Sequence, residues 1–287
     1  MRLENKIQSI RRVLIYTMVL NLTVSVFKII YGMITHSVSI YSDGFHSVFD
    51  GLSNVVGLVG LSFAYTPPDT EHPYGHKKVE ILLTVFIAVM MFFACFEIFK
   101  NVYKAFIDKP DLRITFESFI VMIITLGVNV FVSRYEKRMG VKLNSDFLIA
   151  DAAHTRSDIF VTSGVLVALA LSKMGLNYAD PVVGAIVGVL VAWAGIGILR
   201  STVSVLIDAN QMDTELLCEI VCMIEGVTGC HKIRTRGSKG CVFVDLHIFV
   251  EPTLTVARGH EIAHQVVNTL KTKMGGIADV VVHVEPA

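Results

Sequence analysis

The chain has 287 residues, 53% of them hydrophobic and 17% charged, and its 25 basic and 25 acidic residues balance to a net charge of zero. A soluble domain carries about a quarter charged residues, so this composition excludes an ordinary soluble enzyme and points to a membrane protein. The absence of a basic excess argues against a nucleic-acid partner.

Taken in order, Arg2, Lys6, Arg11 and Arg12 precede a long apolar segment with no small-residue cleavage site, which predicts a first transmembrane helix and not a signal peptide. Apolar stretches near 13–35, 38–64, 79–105, 113–135, 147–172 and 180–206 each reach the length of about 20 residues that crosses a bilayer. Asp180 and Pro181 read as the cap and first turn of the last span. Gly184 and Gly188 give that span a small-residue face for close helix packing. Basic residues at the N-terminus, at Lys77 and Lys78, from Arg134 to Lys142 and at Arg200 outweigh Lys100, Lys104, Lys109, Arg113 and Lys173 on the other side. That bias places both termini in the cytoplasm.

From about residue 209 the pattern becomes soluble. A helix is predicted over 212–226, strands over 229–237 and 240–250, a helix over 256–274 and a strand over 278–285. Val242, Val244, Leu246 and Ile248 alternate with Phe243, Asp245, His247 and Phe249, the period of a half-buried strand. The domains are therefore 1–208, a six-span transmembrane domain, and 209–287, a small α+β domain. Cys218, Cys222, Cys230 and Cys241 fall in the second domain, where a cytosolic location makes a disulfide framework unexpected. Cys218 and Cys222, four apart on a helix, are expected in its core.

The chemistry sits in a repeated pattern. Asp43, His46 and Asp50 read D-x-x-H-x-x-x-D within the second span, and Asp151, His154 and Asp158 repeat it within the fifth. Residues three, four and seven apart share one helical face, so each segment carries a carboxylate–imidazole–carboxylate stripe. Ionisable groups at membrane depth face a protein interior or a water-filled cavity and mark transport paths. At about 1.5 Å per residue, His46 and Asp50 lie about 12–18 Å in from the outer end of their span, and His154 and Asp158 about as far in from the inner end of theirs. In a hydrocarbon core about 30 Å thick both pairs approach the midplane. Two imidazoles and two carboxylates there make a tetrahedral site for a divalent metal ion. The alternative is a structural polar network involving Lys28, Asn21 or Asn129. Asp43 and Asp151, one turn away, line the access path or cap that network.

The loop Asp69–Glu80 contains H-P-Y-G-H-x-K-x-E. Asp69, His72 and His76 have spacing that suits one divalent ion, although solvated loop histidines show the same spacing. Glu80 is expected to serve a cap or charge pair, not a ligand. In the last 80 residues His231, His247, His260, His264 and His283 make up half of the chain's ten histidines. His247 shares a strand face with Asp245, and His283 with Glu285.

Over nearly its whole length the chain resembles the cation diffusion facilitators. The carriers are the six spans, the H-x-x-x-D pair on the second and fifth of them, the signature loop and the small terminal domain. The resemblance implies a membrane all-α six-helix bundle followed by a ferredoxin-like, metallochaperone-like α+β cytoplasmic domain. It implies His46, Asp50, His154 and Asp158 as transport ligands, a second site at Asp69, His72 and His76, and a cytosolic binuclear site at His231, His247, His260, His283 and Glu285. Lys78 and Asp208 match positions of a charge lock at the membrane boundary. It further implies a homodimer in the lipid bilayer, in the inner membrane of a prokaryote, exchanging metal for protons. His/Asp on both helices is most similar to the zinc-selective branch, with Zn2+ both carried and sensed. Iron or manganese transport, including loading of a membrane compartment, is the alternative within the family. Outside it, an intramembrane zinc hydrolase would need a general base such as the Glu of H-E-x-x-H, which does not occur here, and a metal sensor would not need six spans. Neutral imidazole is the metal ligand, and imidazole titrates near pH 6.5, so loading such a site releases protons.

Overall fold

The computed structural model describes residues 3–34, 48, 51, 54–108, 116–174 and 179–287. They form two compact units, Met1–Arg200 and Ser201–Ala287.

The first unit is helical. Its elements are α1 (Leu3–Ile34), α2 (Asn54–Ala64), α3 (Lys78–Asp108), α4 (Phe116–Leu143), α5 (Asp146–Lys173) and α6 (Ala179–Leu206). Among the described residues α1, α3, α4 and α6 are long and apolar enough to cross a membrane. α5 matches them in length, but Asp146, Asp151, Arg156, Asp158 and Lys173 reduce its apolar character. The helices outrun the apolar stretches at their basic ends. α1 starts ten residues before the predicted span and α4 continues eight beyond it, because Lys and Arg are good helix formers once outside the hydrocarbon. α6 starts at Ala179, so Asp180 is inside the helix and not its cap.

Close packing follows the small residues. A Cβ on Gly184 would stand 2.8 Å from Val102, and one on Gly188 3.0 Å from Phe99, so the predicted glycine face of α6 lies against α3. A Cβ on Gly57 would enter the Phe147 ring at 2.3 Å, which sets α2 directly on the start of α5. α4 and α5 form a tight hairpin. Asn144 turns the chain at φ +47°, a left-handed conformation that asparagine tolerates, and the Ser145 amide returns to the Gly140 carbonyl at 3.0 Å.

The second unit runs α7 (Thr214–Cys222), β1 (Gly229–Ser238), β2 (Cys241–Val250), α8 (Val256–Lys273) and β3 (Ile277–Pro286). Asp213 caps α7 by accepting from the amides of Glu215 and Leu216, and Thr255 caps α8. The sheet order is β1-β2-β3, with β1 antiparallel and β3 parallel to β2. Among the described residues this is the ferredoxin-like order without its leading strand. Val242, Val244, Leu246, Ile248 and Val250 point to one face of β2. There they are buried under Leu217 and Val221 of α7 and Ile262, Val266 and Leu270 of α8. The opposite face carries the histidines.

Two cysteine expectations are overturned. Cys218 and Cys230 are joined as a disulfide, because the turn after α7 brings the start of β1 back alongside the helix. Cys222 is exposed and not in the core, since Leu217 and Val221 take the buried positions of α7.

Candidate functional site

The membrane stripe on the second span falls on Asp43, His46 and Asp50, which lie outside the described residues. Its counterpart on α5 is in view. By helical rise, His154 is about 12 Å and Asp158 about 18 Å beyond Asp146, in a helix about 42 Å long. His154 is 6% exposed and Asp151 2% exposed, while Asp158 is half-buried. Thr155 and Ser157 are buried beside them. The Ser157 hydroxyl donates to the His154 carbonyl at 2.6 Å, and Ser133 on α4 donates to the Ala152 carbonyl at 2.8 Å. This stretch of α5 is thus held polar face inward against α4.

Sequence reasoning missed Glu136. It is fully buried on α4, and the Thr155 hydroxyl donates to its Oε2 at 3.3 Å and to the Asp151 carbonyl at 3.2 Å. Glu136 stands in the run Arg134–Arg138, which reads as a solvated basic end. The available signal was its place on α4 seven residues after Asn129, on the face that also carries Ser133.

At the end of the bundle Glu80 joins three helices. Its Oε1 accepts from the Ser145 hydroxyl at 2.6 Å, just before α5, and from the Phe147 amide in its first turn at 3.4 Å. Its Oε2 accepts from Tyr65 at 3.3 Å and from Lys77, which also donates to Tyr65 at 2.7 Å. Lys6 of α1 reaches the Asn144 carbonyl at 3.2 Å. Glu80 acts as a buried cap and charge partner.

In the loop, Asp69, His72 and His76 do come together. His72 Nδ1 is 3.3 Å from Asp69 Oδ1 and His76 Nε2 3.4 Å from Oδ2, with ligand atoms within 4.8 Å of one another. The turn depends on Gly75 at φ +80°, whose amide donates to the His72 carbonyl. The His72 amide donates to Asp69 at 2.6 Å and is the main reason its carboxyl lies below the usual carboxylate range. A preformed, ionised carboxylate beside two imidazoles fits a divalent cation.

In the second unit His231, His247 and Glu285 form a like cluster across all three strands. β1 pairs His231 with His247, and β2 pairs His247 with His283. Glu285 Oε1 is 2.7 Å from His247 Nδ1 and 3.6 Å from His283 Nε2, and its Oε2 is 3.1 Å from His231 Nε2. The His247 hydrogen bond is the largest of the effects that lower the Glu285 pKa. His260 stands apart from this cluster. Its Nε2 is 3.0 Å from that of His264, one turn along α8.

Among the described residues, four helices long and apolar enough to cross a membrane, with buried imidazole and carboxylate groups packed in the same helical unit, mark an integral membrane protein with a polar interior. The family model of the cation efflux transmembrane domain matches residues 14–207, and that of the cation efflux protein, cytoplasmic domain, matches residues 209–287. The chain belongs to the cation diffusion facilitator family. It is 32% identical to a transporter of Methanocaldococcus jannaschii over 97% of this chain and 99% of that protein. It is 25% identical to the manganese efflux system protein MneP of Bacillus subtilis over 96% of each, and 28% identical to the cation-efflux pump FieF of Cronobacter sakazakii over 91% of this chain and 87% of the pump. Among solved structures it is similar to a MamM-CTD variant, at 27% identity and TM-score 0.25, over 25% of this chain and 91% of that one.

Proposed function

We propose that the protein exports Zn2+ from the cytoplasm in exchange for protons, using His46, Asp50, His154 and Asp158 as ligands. The observation that carries this reading is His154, an imidazole buried about 12 Å into α5 and one turn from the half-buried Asp158. A mixed nitrogen and oxygen set of four suits Zn2+, and its histidines release protons on loading. The protein works as a homodimer in a prokaryotic inner membrane, both termini cytoplasmic. His231, His247, Glu285 and His283 bind cytosolic Zn2+ and raise transport when it is abundant. The loop residues Asp69, His72 and His76 hold a further ion outside the hydrocarbon.

Proteoliposomes enclosing a zinc dye and a pH dye test this reading. Zinc entry is expected with opposite proton flux, and loss of both in Asp50→Ala and His154→Ala. Wild-type rates in Asp50→Ala would remove the site assignment. A second reading, manganese export, is favoured by the name of the B. subtilis relative. Manganese prefers oxygen ligands, so competition favouring Mn2+ over Zn2+ would select it.

A further inference from the structure

β1 carries ligand-type side chains on both of its faces. Neighbouring residues of a strand point to opposite sides of the sheet. His231 pairs with His247 on the open face, whereas Cys230 pairs with Ile248, which belongs to the face covered by α7 and α8. On that face α7 presents Cys218 and Cys222, one turn apart, with their sulfurs 3.9 Å from each other. The three sulfurs of Cys218, Cys222 and Cys230 all lie within 4.8 Å of one another. Gly226 makes this possible. It turns the chain at φ +92°, and a Cβ there would stand 2.7 Å from Ile262 of α8. Cys218 and Cys230 are half-buried and Cys222 is exposed, so a cation reaches the group from solvent through Cys222.

We propose that Cys218, Cys222 and Cys230 form a three-thiolate site for a thiophilic cation of the Zn2+, Cd2+ or Cu+ class, separate from the histidine cluster on the other face of the same strand. Three sulfur donors select soft cations where the histidine cluster, with nitrogen and oxygen donors, does not. The Cys218–Cys230 disulfide is the metal-free, oxidised form of the site. Opening it takes two electrons and two protons from a dithiol, which becomes a disulfide itself. Binding the cation then releases the thiol protons, because the thiolate is the ligand.

The test is a Cd2+ titration of the full-length protein in detergent after reduction by a dithiol, read by ultraviolet sulfur-to-cadmium charge transfer. Nitrogen and oxygen ligands give no such band, so the histidine and carboxylate sites are silent. A saturable band is expected in the wild type, reduced by about one third in Cys222→Ser and absent from the Cys218→Ser/Cys222→Ser/Cys230→Ser variant. Cys95→Ser/Cys241→Ser and His231→Ala/His247→Ala should keep it unchanged. Protection of the three thiols from alkylation by bound Cd2+, mapped by mass spectrometry, gives a second readout that tolerates altered stability in the triple variant. No band in the reduced wild type, an unchanged band in Cys222→Ser, or full alkylation of the three thiols in saturating Cd2+ overturns the proposal.

Discussion

Removing the Glu80 carboxylate should loosen the end of the bundle that aims α5. Glu80 is 1% exposed, and its partner Lys77 is 17% exposed. In Glu80→Ala the Ser145 hydroxyl, fully buried, loses its acceptor, and Lys77 keeps only Tyr65. Breaking a buried pair from one side costs about 3–5 kcal/mol, and the partial exposure of Lys77 together with its Tyr65 bond moves this site to about 3 kcal/mol. Glu80→Gln retains an acceptor for Ser145 and loses only the charge, for about 1–2 kcal/mol. Thermal and denaturant unfolding in detergent measures both, and a cycle with Ser145→Ala should show a coupling of about 1–2 kcal/mol. The metal binding proposed for the loop should persist in Glu80→Ala, since both Glu80 oxygens are held by Ser145, Phe147, Tyr65 and Lys77. Additive effects of Glu80→Ala and Ser145→Ala, or a Glu80→Ala protein as stable as the wild type, would refute the reasoning.

Gly57→Ala should destabilise the bundle by about 1–3 kcal/mol by driving a methyl into the enclosed Phe147 ring, and Gly57→Ala/Phe147→Leu should recover part of the loss in the same unfolding assay. His247→Ala should lower the zinc stoichiometry of the full-length protein by at least one ion in calorimetry, while His264→Ala leaves it unchanged. Glu285 has a pH signature in the metal-free protein. Its carboxyl is held below the usual range, chiefly by His247, so its contribution is complete above the ordinary glutamate pKa and disappears as pH falls through the lowered value. The stability gap between wild type and Glu285→Gln should therefore be full at neutral pH and close in acid, and a constant gap would contradict the contact.

Legibility tracked periodicity and composition. The long helices and the αββαβ order were readable because apolar runs and the alternation through Val242–Phe249 report burial directly. The grouping of Asp69, His72 and His76 was readable because eight consecutive loop residues with a glycine at the turn have little freedom to separate. Helix ends were not readable, because Arg134–Lys142 favours a helix whether or not it is in lipid. Glu136 was hidden by its basic neighbours, and only tertiary packing against Thr155 reveals it as buried. The approach of Cys230 to Cys218 depends on the direction of one turn at Gly226, which spacing alone does not encode. His260 illustrates the converse. Its residue type suits a metal, yet within one chain its ring meets His264 instead of the strand cluster.

The packing around α5 constrains which helix motions can change access to His154 and Asp158, the proposed ligands. α5 is fixed to α3 through Glu80 and Ser145, and to α4 through Ser133 and the Asn144 turn. Gly140 lets the α4 backbone approach Ile149, where a Cβ would stand 3.1 Å from the Ile149 amide nitrogen. Further along, Gly164 admits Val187 of α6, at 2.5 Å from where a Cβ would be. Contacts this close do not slide, since a shift along the axis would drive side chains into backbone. A motion that opened the site by moving α5 alone would break the buried Glu80 network at a cost of several kcal/mol. Rocking of α5 together with α4, about the end anchored by Glu80, preserves the Ser133, Gly140 and Glu80 contacts, displaces the Gly164–Val187 contact with α6, and changes the exposure of the turns that bear His154 and Asp158, the proposed ligands.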